Sequence, residues 1–140
     1  MELANSIVLN MADEITAAFD GGAGAAVLKI YDENGVGAVA LTTAISTQTL
    51  LAEITLNDPS MAAAVDATPG GRIDFDVTPI PEDTSANATA PTAALFGRVE
   101  DSNGTELAQF TETELGLNSD AIQSGAAVQL TSGSITIPES

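Results

Sequence analysis

The chain has no cysteine, no histidine and no tryptophan, and its 140 residues include only three basic side chains, Lys29, Arg72 and Arg98, against 20 aspartates and glutamates. Each absence closes a class of chemistry. Without cysteine there is no disulfide framework, thiolate nucleophile or Cys-based zinc site. Without histidine the usual general base near neutral pH and the commonest metal ligand are missing. A Ser/His/Asp arrangement cannot be assembled, and a Ser/Lys variant would rest on Lys29 alone. No phosphate-binding loop ending in Gly-Lys-Ser/Thr is present. Gly22-Ala23-Gly24 precedes a strand pattern instead of a helix and has Val27 where a dinucleotide-binding fingerprint has its third glycine. Long apolar runs are also missing. No stretch approaches the roughly 18 apolar residues of a membrane span, and no basic residue precedes the short apolar run of MELANSIVLNMADE. The expectation is a protein neither secreted nor inserted in a membrane.

Hydrophobic residues still make up 44% of the chain, enough for a folded domain, and 140 residues suit one such domain. Only five are aromatic, Phe19, Tyr31, Phe75, Phe96 and Phe110, so the core has to be built mainly from Ala, Val, Ile and Leu. The formal net charge of −17 repels nucleic acid and anionic membranes at long range and attracts cations or basic protein surfaces. Nine acids fall in residues 1–70 and eleven in 71–140, so there is no acidic tail; the pattern is that of a solvated acidic shell, suited to a saline medium.

Residues 5–20 read as a helix because Ile7, Met11, Ile15 and Phe19 recur every fourth position, with Asn5 or Ser6 as its cap and Gly21 and Gly22 as its stop. Two uses of that apolar stripe are open: packing on the chain's own sheet, or docking on a partner or sister subunit. After the glycines the period changes to two. Ala26, Leu28 and Ile30 alternate with Val27, Lys29 and Tyr31 up to the turn Asp32-Glu33-Asn34-Gly35. Residues 36–48 read as a long loop or weak edge strand. Residues 49–56 form a second strand, with Leu50, Ala52, Ile54 and Leu56 on one face. Residues 61–67 suggest a single helical turn, and 72–77 a strand with Ile73, Phe75 and Val77 inward. Residues 78–91, with Pro79, Pro81 and Pro91, read as a flexible loop that becomes ordered against a partner. Asp101-Ser102-Asn103-Gly104 between alternating segments is a hairpin signal. Residues 114–120 are turn-rich. The last strand, 127–137, shifts its apolar positions from even to odd, which predicts a bulge at Gly133. Six or seven short strands after one helix describe a mainly β domain over residues 1–140, an antiparallel β-sandwich or jelly-roll-like fold spanning 25–137.

Carboxylate chemistry finds little support in this pattern. Asp74 and Asp76 share a strand face with Arg72, and an exposed alternating face offers no pocket to raise a general acid's pKa. Asp101, Asn103, Thr105 and Glu112 mimic positions of a calcium loop, but the required glycine is replaced by Glu106. No catalytic, cofactor-binding or metal-ligating residue is therefore assigned. The interface candidates are Ile7, Met11, Ile15, Phe19, Pro79 and Pro81.

The N-terminal helix followed by FDGGAGAAVLKIYDENG, TLLAEITLNDP, FGRVEDSNGTELAQF and ELGLNSDAIQSGAAVQLTSGSITIPES resembles the capsid decoration, or cement, proteins of tailed bacteriophages. The resemblance spans nearly the whole chain except residues 36–48 and 78–91, and it rests on strand and turn phrases, with no functional residue set attached. It implies a non-enzymatic β-rich homo-oligomer, a trimer, on the outer surface of the virion, where its partner is the major capsid protein. A tail or head-completion component and an acidic mimic of DNA phosphate are the alternatives. On the decoration reading, Ile15→Asp and Phe19→Asp should abolish association.

Overall fold

The computed structural model describes residues 3–67, 70–89 and 94–138. It is mainly β, with two antiparallel sheets packed together and one N-terminal helix. The elements are α1 (Asn5–Phe19), β1 (Val27–Asp32), β2 (Thr49–Thr55), β3 (Val65–Asp66), β4 (Gly71–Asp74), β5 (Glu82–Asp83), β6 (Leu95–Glu100), β7 (Glu106–Thr111), β8 (Leu115–Leu117) and β9 (Val128–Ile137), with a 3-10 turn at Glu112–Glu114. One sheet runs β2-β1-β6-β7. In the other, β9 pairs with β4, β5 and β8, and β3 extends β4.

The helix ends as expected but starts differently. No side chain caps it, because Ala4 occupies the cap position and the Asn5 amide instead donates to Asp66 at 3.0 Å. At the other end Gly22 takes φ +101° against the β6–β7 turn, where a Cβ would collide with Ser102. The Asp20 carboxylate then receives the backbone N–H and hydroxyl of buried Ser60 at 2.7 and 2.6 Å, tying the helix end to the loop after β2.

The core fills the space between the sheets with Leu28, Ile30, Leu51, Ile54, Ile73, Val99 and Leu130. An aromatic chain runs through it: Phe19 meets Phe75 edge-on at 6.1 Å and Phe75 meets Phe110 at 5.4 Å. The alternation in residues 49–56 is broken where β2 bulges opposite Ile30 and Tyr31, so Leu51 is buried and Leu50 is half-buried beside Tyr31. The shift in β9 is present, but its extra residue is Thr131. The register passes from Ser132 opposite Gly116 to Leu130 opposite Leu117. Gly133 has a different cause, since a Cβ there would come within 2.7 Å of the Phe75 ring.

Two further expectations are corrected, and a third segment carries more structure than its sequence suggested. Residues 61–67 form no helical turn: Met61 bridges to Phe75, and Val65–Asp66 pair with β4. Residues 114–120 contain β8, which pairs with β9. The segment expected to be a flexible loop contains β5, whose Glu82 and Asp83 pair with Gln129 and Val128, and it buries Ala86. The Asp83 carboxylate accepts the Glu53 N–H at 2.9 Å, so β5 also closes the outer edge of β2. Pro91 lies outside the described residues.

The second face of the β1–β6 pair is not solvated, as plain alternation implies. Tyr31 stacks on Phe96 at 5.3 Å, and Arg98 beside them is 0% exposed. Its Nε donates to Gln109 at 2.9 Å and its Nη1 to Glu106 at 2.7 Å, while Nη2 reaches the carbonyls of Val39, Ala40 and Thr43 at 3.2, 2.9 and 3.1 Å. Residues 36–48 thus form a strap across this face. Gln48 pins it further, donating to the Gly37 carbonyl at 2.9 Å. Removing the guanidinium would leave five part-buried acceptors without their donors and unfasten the strap. Arg98→Met is therefore expected to destabilise the fold by about 3 kcal/mol or more, and Arg98→Lys to fall between it and wild type. Urea unfolding measures both, and amide exchange should show residues 36–48 losing protection first.

Candidate interaction surface

On a 3.6-residue helix the four expected interface positions do not share one environment. Val8, Ala12 and Phe19 are buried and Ile15 is partly buried, which turns one flank of α1 inward. Phe19, 2% exposed and packed on Phe75, is a core residue, so it is withdrawn as an interface candidate. Ile15 lies mostly in the same core. Ile7 and Met11, four residues apart and therefore adjacent on the helix surface, are 47% and 44% exposed.

The two prolines also separate. Pro79 is exposed, whereas Pro81 is buried and its carbonyl accepts the Leu130 N–H at 3.0 Å, which removes it from the surface. Between them Ile80 is half-exposed, a residue that the sequence pattern passed over because the prolines masked it as loop. The Asn57 amide ties this loop to the end of β2 through the carbonyls of Asp76 and Pro79 at 2.8 and 2.9 Å. It therefore lies toward the Asp20 end of the helix, and about 14 Å of helix, nine residues at roughly 1.5 Å each, separates Met11 from Asp20. Val36 and Val65 are exposed as well, so among the described residues the structure offers several small apolar spots where the sequence suggested one stripe with a loop.

The few basic side chains are each drawn to an acid. Lys29 donates to Glu100 at 2.7 Å, with Glu53 at 4.0 Å, and this hydrogen bond raises its pKa above the usual value. Arg72 pairs with Asp74 at 2.6 Å, and Arg98 with Glu106 at 2.7 Å. All three cations of the chain are thus committed internally.

Carboxylates at the turns serve the backbone. Asp101 accepts the N–H groups of Asn103 and Thr105 at 2.9 and 2.8 Å, closing the β6–β7 hairpin, and the Thr105 bond foremost lowers its pKa. Glu114 accepts the Thr111 N–H at 2.7 Å and the Thr111 hydroxyl at 2.8 Å, which lowers its pKa as well. A cleft of about 480 Å³ beside β9 contains Arg72, Asp74 and Glu114, and each already has a partner there or at the adjoining turn. Among the described residues no group of three or more acidic side chains is placed to hold a metal ion, and no helix is long and apolar enough to cross a membrane. In comparisons with known proteins, no family model, curated protein or solved structure matches the chain.

Two outcomes follow from this arrangement. Phe19→Ala should lower stability by about 3–5 kcal/mol through a core cavity, while Ile7→Ser with Met11→Ser should stay within about 1 kcal/mol of wild type; parallel urea titrations compare them. The folded Glu114 carboxyl has a lower pKa than in the unfolded chain, so its contribution is present above its ordinary pKa of 4.5 and is lost as pH falls through the folded value. The stability gap between wild type and Glu114→Gln should accordingly be widest at neutral pH and close in acid.

Proposed function

We propose that this chain is a structural virion protein, a capsid decoration protein that binds the outside of a tailed-phage head and strengthens contacts between subunits of the major capsid protein. The observation that carries the reading is the exposed Ile7–Met11 pair on a β-sandwich whose three basic side chains are each paired with an acid. A cement protein needs a stiff body, a small apolar contact, and a surface that shuns nucleic acid and other particles. Apolar burial supplies most of the affinity in such a contact, while the acidic surface selects a basic partner and speeds the encounter.

Self-association into a trimer fits the same reading, and here charge sets a condition. Each copy carries −17, so a closed oligomer has to hold its subunits through apolar burial while its acids stay on the rim. The reading involves no catalysis, nucleic acid or membrane. Since Phe19 is a core residue, substitution there would report folding, and the informative variant is Ile7→Asp with Met11→Asp.

The test uses phage heads stripped of this protein. Wild type should co-sediment with them and raise their resistance to heat, and the double variant should lose at least tenfold in binding while remaining folded. Full binding by that variant would remove the helix from the interface. Recovery of the protein with tails would move it to a tail or head-completion role. Its absence from both fractions would favour the alternative that −17 suggests, an acidic mimic of DNA phosphate.

A further inference from the structure

An apolar pocket of about 290 Å³ lies between the strap, the start of β6 and the end of β7, walled by Ala38, Leu95, Phe96 and Phe110. Two acidic residues, Glu33 and Glu112, line it with them, as do Gln109, Thr111 and Thr113. Both acids are half-buried and both are anchored to consecutive residues: the Glu33 N–H donates to the Ala94 carbonyl at 3.1 Å, and the Glu112 carboxylate accepts the Leu95 N–H at 3.3 Å. Among the described residues neither acid has a cationic side chain as partner, because Lys29, Arg72 and Arg98 are the only basic side chains and each is paired elsewhere.

We propose that this pocket receives a lysine or arginine side chain from a partner protein, its alkyl stem against Leu95 and Phe96 and its cationic head between Glu33 and Glu112. The chemistry of the lining selects that occupant. A calcium ion asks for six to eight oxygen donors, and beside Glu33 and Glu112 the lining offers only Gln109, whose Oε1 already accepts from Arg98, Thr111, whose hydroxyl is bonded to Glu114, and Thr113. A neutral apolar group would leave two partly desolvated carboxylates without a counter-charge. An alkyl cation satisfies both parts of the lining, and an aromatic ring adds attraction for its head. A second copy of this chain is a poor donor, since its own basic side chains are committed. The assignment does not depend on the partner being a capsid.

Titration of the isotope-labelled full chain with Nα-acetyl-lysine N-methylamide, followed by amide shifts, tests the proposal. Saturable shifts confined to Glu33, Ala38, Leu95, Phe96 and Glu112 are expected, weakened by about tenfold in Glu33→Gln with Glu112→Gln and absent with the neutral norleucine analogue. Glutamine at 112 still presents a carbonyl to the Leu95 N–H, so the variant is expected to fold, and its unperturbed spectrum elsewhere checks this. Shifts scattered over the whole acidic surface, equal binding by the double variant, or equal binding of the norleucine analogue would each overturn the proposal. Displacement of the lysine probe by calcium chloride but not by sodium chloride of equal ionic strength would also overturn it, in favour of an ion site.

Discussion

The buried guanidinium of Arg98 is the interaction on which much of this architecture depends. A charge taken wholly out of water is tolerated only where it is paired and its donors are used. Here Glu106 neutralises it, Gln109 takes Nε, and three strap carbonyls take Nη2. A lysine, with a single compact head, cannot span acceptors on a neighbouring strand and a loop at once. The result is a sandwich with a third layer, because residues 36–48 are drawn over a sheet face that would otherwise be wet. That layer buries the stacked Tyr31 and Phe96, and through Ala38 it forms one wall of the pocket that holds Glu33 and Glu112.

The same economy of cations shapes the surface. With only three basic residues, each beside an acid, the chain has few basic side chains to set against its remaining carboxylates. Some acids are absorbed by turns, as Asp101 and Glu114 show. The others give the surface a negative field that repels other anions at long range. Among the described residues, Ile7 and Met11 on the helix, Val65 on β3, Val36 in the strap and Ile80 are the large apolar side chains open to contact.

Much of the framework was legible in the residue pattern. The period-four helix, the strand after Gly24, the Asn-Gly hairpin and the mainly β class are all local signals, and each reflects how a repeat of apolar positions meets one buried face. The failures share a cause. Leu51 in place of Leu50, and Thr131 in place of Gly133, are positions where a bulge lets the chain change faces, and a bulge depends on the partner strand. Strands β3, β5 and β8, two or three residues long, carry too little periodicity to be read and exist because β4 or β9 offers backbone groups to pair with.

The sequence by itself determined what the protein lacks and the sign of its field: no thiol, no imidazole, a charge of −17, and one amphipathic helix ahead of β-strands. Those properties follow from composition and local spacing. Only the tertiary structure decided which apolar residues are surface and which are core, sending Phe19 and Pro81 inward and leaving Ile7, Met11 and Pro79 outside. It also decided that Arg98, in a position that alternation assigns to solvent, is the most completely buried charge in the described chain. The reason is physical: burial is set by what packs over a residue, and the strap that covers Arg98 comes from a segment 55 to 59 residues away in the chain.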